Sequence, residues 1–255
     1  MENPSLHALL LLSDSQLPLG SFAFSSGLES FLGHKKLSNT HLSSSASARI
    51  AAFQGFLEQS VANVSSTALP YVLAAHRKPE TLQDLDNDFD ASTPCTVARR
   101  ASITQGKALI ALWEKALSSS ASTTSSASKE VANFAARLKS NTPDSFGLQL
   151  QAHFPALFGA VCAALGLSAF DTSYMFLLNH AKAVLSAGVR ASVMGPYQSH
   201  TIMASANLQR WIQDCIAREA TVGEGNGVER AAVTVPTMDL WMGRHELLYS
   251  RIFNS

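Results

Sequence analysis

Apolar side chains recur every three or four positions along most of this 255-residue chain, which is the spacing of helices with one buried face. The longest run covers residues 53–75, and Pro70 inside it predicts a kink. The alternation typical of a strand appears only briefly, at residues 232–235. Further helices are predicted over residues 9–12, 25–36, 79–90, 96–117, 131–138, 154–165, 171–188 and 199–218. The pattern predicts an all-α, single-domain bundle of about ten helices.

Residues 17–29, with the sequence LPLGSFAFSSGLE, interrupt this helical pattern. Pro18 and Gly20 together favour a bend. Phe22 and Phe24 flank one alanine, so in extended backbone they would point the same way. A serine cap followed by Glu29 in the first turn predicts that a helix starts here. A loop this apolar either packs against the core or binds a partner.

Two further segments differ from the helical background. Residues 118–128 consist only of Ser, Ala and Thr, which predicts a flexible surface insertion that cannot form a core. The glycine-rich residues 223–227 predict a hinge between a helical domain, residues 1–222, and a C-terminal tail, residues 223–255. The tail is rich in Trp, Met, Tyr, Phe and Arg, a composition typical of an interface anchor. A tail that packs on its own core is the alternative.

The overall composition narrows the class of protein. The chain has 46% hydrophobic residues, 15% charged residues and a net charge of zero, which disfavours nucleic-acid binding and suggests that other subunits cover part of the surface. Its three cysteines form no paired motif, so we expect a reducing compartment, the cytoplasm. The uncharged residues 145–170 are rich in alanine and contain Pro155, which predicts a buried helix and not a membrane span.

Motifs that carry chemistry are missing from the sequence. It contains no P-loop, nucleophile elbow or zinc-protease histidine pair, and its eight histidines include no close pair at ligand spacing. Arg190 is typical of a cation at a helix C-terminus, while Gln105 and His153 are typical of buried polar groups with local partners. The sequence therefore favours a binding protein, without metal or cofactor, over an enzyme.

Several segments, in the same order along the chain, resemble the urease accessory protein UreF family. They are residues 17–29, residues 99–109 (RRASITQGKAL), residues 153–159 (HFPALFG), the set Val189, Arg190, Gly195 and Gln198, and the C-terminal residues 244–246 (RHE) and 249–253 (YSRIF). The resemblance spans nearly the whole chain, and the ordered set is more specific than any single motif.

The resemblance implies an all-α homodimer that is not an enzyme and that takes part in the maturation of nickel urease. The implied partners are UreD (called UreH in some species), the nickel-carrying GTPase UreG and apo-urease, with GTP hydrolysis coupled to nickel insertion. The implied partner-binding residues are Pro18, Gly20, Ser21, Phe22, Glu29, Gln105, Arg190, Gln198, Arg244, Tyr249 and Arg251.

Three of these residues carry specific implied roles. Phe22 stands where the family often has a tyrosine on the UreG-binding surface, so a hydroxyl is absent here. Arg190 stands where a family lysine is implicated in gating the GTPase, and it keeps the charge but not the geometry. Arg251 matches a tail arginine that supports the loop when UreD binds. The serine-rich residues 38–47 and 118–128 are typical of a eukaryotic, fungal member.

A mechanism follows as a hypothesis. The hinge would let residues 228–255 move in the free protein, and UreD would fix them by burying Trp241, Tyr249 and Phe253. Arg251 would then bond loop carbonyls near Gly20 and link the two partner sites.

Three other functions compete with this one. The chain could be an unrelated helical adaptor that uses the same loop and tail. It could be an enzyme with a pocket between helices, in which Arg190 and His153 are the polar groups. It could be a direct nickel chaperone, which its scattered histidines and cysteines disfavour.

Overall fold

The computed structural model of the chain describes residues 4–38, 45–121, 125–143, 147–220 and 227–254. Within these ranges the fold is all-α and contains no strand, which confirms the predicted fold class. The α-helices are α1 (Pro4–Leu12), α2 (Leu28–Ser38), α3 (Ala46–Thr67), α4 (Leu69–Arg77), α5 (Leu82–Ser92), α6 (Thr96–Leu112), α7 (Ser126–Ser140), α8 (Phe154–Ala164), α9 (Ala169–Arg190), α10 (Pro196–Met203), α11 (Ala206–Ala220) and α12 (Pro236–Arg244).

Helix α8 lies at the centre of the bundle and is buried along nearly its whole length. It packs most extensively against α4, and also against α6 and α7. Gly159 permits the close approach to α4, because a Cβ there would lie 2.1 Å from the Val72 carbonyl oxygen. The uncharged segment is therefore a buried helix, as predicted. Among the helices in the described ranges, none has both the length and the apolar character needed to cross a membrane.

Local sequence signals set several helix ends. The Ser45 hydroxyl accepts a hydrogen bond from the Ala48 N–H at the start of α3, over 3.2 Å. Ser168 caps α9 in the same way, at 3.0 Å from the Asp171 nitrogen. Proline occupies the first turn of α4, α8, α10 and α12.

Some helix boundaries differ from the predicted ones. Residues 53–75 fall into two helices that meet at Ala68, because Pro70 occupies the first turn of α4 and does not kink one continuous helix. Residues 199–218 divide between α10 and α11, since Ser205 accepts a hydrogen bond from the Leu208 N–H and starts a new helix. Helix α6 ends at Leu112, and a π-helical turn completes the predicted segment. Residues 232–235 form no strand.

The serine-rich residues 118–128 contribute to the packing. Ser118–Ser120 forms a 3-10 turn, and α7 begins at Ser126. Ala121 and Ala127 are buried, so the expectation that nothing in this stretch joins a core is wrong, because alanine is small and apolar enough to pack. Residues 122–124 lie outside the described ranges, as do residues 39–44 and 223–226, so the flexible insertion and the glycine hinge stay predictions.

The described part of the tail, residues 227–254, packs on its own domain. Met238, His245 and Phe253 are buried there. Trp241 meets the edge of Phe31 in α2, with the ring centroids 5.7 Å apart. Of the two alternatives for the tail, packing on its own core describes these residues. Other tail side chains remain exposed, namely Leu240, Leu247, Tyr249 and Ile252.

Candidate functional site

The loop before α2 presents one aromatic ring to solvent and buries the other. Gly20 has a φ of +72°, a left-handed conformation that suits glycine, and Ser21–Ala23 forms a 3-10 turn. Phe22 is 64% exposed, whereas Phe24 is only 7% exposed. The backbone turns at residues 21–23, so the extended conformation in which both rings would point the same way is not formed. Phe22 is left as the outward face of the loop.

The last residues of the tail lie directly against this loop. The Glu29 carboxylate, in the first turn of α2, accepts hydrogen bonds from the Ile252 N–H at 2.8 Å and from the Phe253 N–H at 3.3 Å. The Asn254 N–H donates to the Ala23 carbonyl oxygen at 2.8 Å. We call this region, formed by residues 20–24, Glu29, Arg100, Arg190 and residues 245–254, the loop–tail junction.

Buried His245 forms a hydrogen bond within the tail. Its Nε2 lies 3.0 Å from the Phe253 carbonyl oxygen, so this nitrogen carries the proton and donates. Its Nδ1 has no hydrogen-bond partner among the described residues and lies 3.9 Å from the Glu29 carboxylate. His245 and Glu29 therefore bind the two backbone groups of Phe253, its carbonyl oxygen and its N–H.

Arg190, the last residue of α9, joins the loop to the tail. Its Nη2 donates to the Phe22 carbonyl oxygen, and its guanidinium carbon lies 4.4 Å from the centre of the Phe253 ring. A guanidinium at this distance from an aromatic face is attracted by the ring quadrupole. Arg190 is thus more than a cation at a helix end, because it connects the exposed aromatic residue of the loop to the buried aromatic residue of the tail.

In this structure Arg251 contacts the tail, and its hypothesised brace on the loop, which belongs to the UreD-bound protein, stays a prediction. Its Nη1 donates to Glu246 Oε2 at 2.9 Å, and Arg100 of α6 donates to the other oxygen of the same carboxylate. Arg100 also reaches the Asn254 carbonyl oxygen, at 3.2 Å. Arg100, and after it Arg251, lowers the pKa of the Glu246 carboxyl. In the structure of the chain alone, the arginine that donates to a loop carbonyl is Arg190, a contact that sequence reasoning did not predict.

Among the other predicted site residues, Gln105 and Gln198 have local partners. Gln105 lies on α6 and its Nε2 donates to the Ala101 carbonyl oxygen at 3.3 Å, while Gln198 accepts from the Gly195 N–H at 3.3 Å and caps α10. Arg244 and Tyr249 are exposed on the tail. Pro18 is exposed at the loop entrance and Ser21 is half-buried within the 3-10 turn.

Sequence reasoning missed the contributions of Arg100 and His245 to the junction. Both residues lie in segments that carry the family resemblance, which is the signal that could have identified them.

A second polar cluster fixes the start of α8. The Asp86 carboxylate accepts the backbone N–H groups of residues 151, 152 and 153, at 2.7, 3.1 and 2.6 Å. The His153 ring lies between Asp90, at 2.8 Å from Nε2, and Ser102, at 3.1 Å from Nδ1. Arg99 pairs with both oxygens of Asp90. Burial raises the pKa of the Asp86 carboxyl, and the three N–H groups and His153 oppose that rise.

This cluster bears on the enzyme alternative. His153 is fully buried, which agrees with the prediction of a satisfied buried polar group. A cavity of about 310 Å³ lies beneath the loop, with Phe24, Phe89, Phe154 and Phe176 in its wall. Among the described residues that line it are Ser102 and Gln105, but neither His153 nor Arg190. The two polar groups suggested for that alternative therefore do not face this cavity.

In the described ranges, no group of three or more His, Cys, Asp or Glu side chains is placed to hold a metal ion.

The fold and the loop–tail junction define an all-α protein whose exposed aromatic and arginine side chains are typical of a protein–protein interface. The profile of the UreF family matches residues 48–207. A UreF-like urease accessory protein of Schizosaccharomyces pombe, described as uncharacterized, is 36% identical over 98% of this chain and 97% of its own length. Urease accessory protein F of Arabidopsis thaliana is 30% identical over 96% of this chain and 90% of its own, and that of Oryza sativa subsp. indica is 27% identical over 99% and 86%. The chain belongs to the UreF family of urease accessory proteins.

Proposed function

We propose that this protein is a non-catalytic scaffold that, together with UreD, recruits the nickel-carrying GTPase UreG to apo-urease and couples GTP hydrolysis to nickel insertion. The observation that carries the proposal is the loop–tail junction. It presents Phe22 on the loop and Tyr249 and Ile252 on the tail as exposed side chains, and it connects the two segments by direct contacts. Exposed aromatic residues beside arginines are typical of binding hot spots.

The contacts also suggest how two partners could be linked. UreD would bind the exposed tail residues, and UreG would bind the loop around Phe22. Because Arg190 contacts both segments, and Glu29, just after the loop, binds the tail, fixing the tail favours one arrangement of the loop. This linkage keeps the hypothesised coupling and adds Arg190 and Glu29 to it.

Two further properties belong to the same proposal. The three cysteines are free, and two of them are buried, which is compatible with a cytoplasmic protein. The apolar residues Leu6, Leu10 and Leu11 are exposed on α1, which is compatible with a homodimer in which a second copy covers them.

The proposal is tested by reconstituting urease activity from apo-urease, UreD, UreG, nickel and GTP, with and without this chain. We expect activity to depend on the chain and to fall at least tenfold for Phe22→Ala, because the loop loses its exposed ring. Phe170→Ala is the matched control, since Phe170 is 55% exposed on α9 outside the junction. Equal activity without the chain contradicts the proposal, and an equal loss in both variants contradicts the assignment of the loop.

A further inference from the structure

The loop–tail junction has a local charge that the whole chain lacks. The chain carries 19 basic and 19 acidic residues. At the junction, however, Arg100, Arg190 and Arg251 are connected by direct contacts through Glu246, Asn254 and Phe253. Glu246 pairs with Arg100 and Arg251, while Glu29 is turned inward onto backbone N–H groups, so three arginines face two carboxylates. The exposed surface here is therefore basic.

The arginines keep hydrogen-bonding capacity for a partner. The Arg100 and Arg251 side chains are 51% and 41% exposed. A guanidinium has five N–H groups, and within the described residues Arg251 uses its Nη1 for Glu246 alone. The remaining groups match the two oxygens of a carboxylate.

The loop and the tail of the junction also carry exposed apolar side chains. Phe22, Leu247, Tyr249 and Ile252 are all more than 60% exposed. A phosphate backbone would pair with the arginines but would gain little from these apolar groups. A folded protein that presents carboxylates beside an apolar patch would use both, which is the arrangement of a protein interface with electrostatic complementarity.

We propose that the loop–tail junction docks an acidic surface of its protein partner, with carboxylates on Arg251 and Arg100 and apolar side chains on Phe22 and Ile252. The inference rests on the proposed function and adds the chemistry of the partner surface. Attraction between unlike charges speeds association and weakens as salt is added.

The test measures binding of the full-length chain, with UreD bound, to the GTPase partner at about 50 and about 500 mM salt. Wild-type Kd should rise at least tenfold across this range, mainly through slower association. Arg251→Glu should raise Kd at least tenfold at low salt and flatten the salt dependence, whereas Arg251→Lys should stay within about threefold of wild type because it keeps the charge. Arg210→Glu on α11 makes the same charge change at an exposed position outside the junction and should bind like wild type.

The possible failures are distinguishable. Binding that is independent of salt, or equally weakened by Arg251→Glu and Arg210→Glu, overturns this inference and leaves the proposed function standing. Displacement of the GTPase by a DNA duplex at comparable affinity shows a polyanion surface and also overturns it. Wild-type protein that binds the GTPase at neither salt concentration overturns both.

Discussion

Removal of the Glu29 carboxylate should release the end of the tail while the helical domain stays folded. In Glu29→Ala, the Ile252 and Phe253 N–H groups lose their acceptor, while the Asn254 bond to the Ala23 carbonyl remains. The 2.8 Å bond has normal geometry, and the 3.3 Å bond is long and weak. A hydrogen bond to a charged group contributes about 1.5–3 kcal/mol, so we expect about 2–3 kcal/mol for the pair.

This energy converts directly into a rate that can be measured. At about 1.4 kcal/mol per factor of ten, the amides of Ile252 and Phe253 should exchange with solvent about thirty- to a hundredfold faster in Glu29→Ala. Hydrogen exchange followed by NMR resolves both amides. Glu29→Gln should have an intermediate effect, because its amide keeps one acceptor oxygen but turns an NH₂ group towards the other donor.

The control is Glu58→Ala, which removes an exposed glutamate from α3 and should leave tail exchange unchanged. Unfolding of the helical domain in urea should be nearly the same in all three variants, since the tail end opens locally. Unchanged exchange of both amides in Glu29→Ala would refute the reasoning, as would a loss of global stability large enough to account for the faster exchange.

Two further predictions concern the helical domain. Gly106→Ala should lower the free energy of unfolding by about 3 kcal/mol or more in urea titrations, because its Cβ would lie 1.9 Å from the Ala152 carbonyl oxygen. Gly55→Ala on α3 is the control, and it should stabilise the fold by up to about 1 kcal/mol because nothing lies within 4 Å of its Cβ. A Gly106→Ala variant that is more stable than Gly55→Ala would contradict this prediction. Burial lowers the pKa of His180 to about 4, so between about pH 6.5 and 4 the unfolded chain takes up a proton that the folded chain refuses, and stability falls as the pH falls. Between pH 7 and pH 4, the free energy of unfolding measured in urea should fall by about 2–3 kcal/mol less in His180→Gln than in wild type. An equal fall in both proteins would contradict the role given to His180.

Helices could be predicted from the sequence where one face is consistently apolar. Residues 171–188 show this in α9, whereas α8 could be predicted because the residues around Pro155 are uncharged and mostly apolar. Both predictions held because spacing and composition are local properties of the chain. The boundaries at Ala68 and Ser205 were not predicted, since they depend on which residue caps the next helix.

The contacts of the candidate site could not be predicted in the same way. Glu29 binds backbone groups 223 and 224 positions later in the chain, and no local pattern specifies such a pairing. The contact of Arg190 with the loop depends on where α9 ends in space. The orientation of Phe22 follows from the turn after Gly20, which period-two spacing alone cannot show.

The close packing of α4 against α8 has a consequence for how the chain could be divided. Val72 lies before the serine-rich residues 118–128 and Gly159 lies after them, so the most extensive helix packing in the described ranges joins the two halves of the chain. The bonds from Asp86 to residues 151–153 cross the same divide. Each half alone would expose the apolar surface that the other covers. Two fragments produced separately and cut between residues 121 and 125 should therefore find each other and reassemble, which makes this chain a candidate for split-protein complementation.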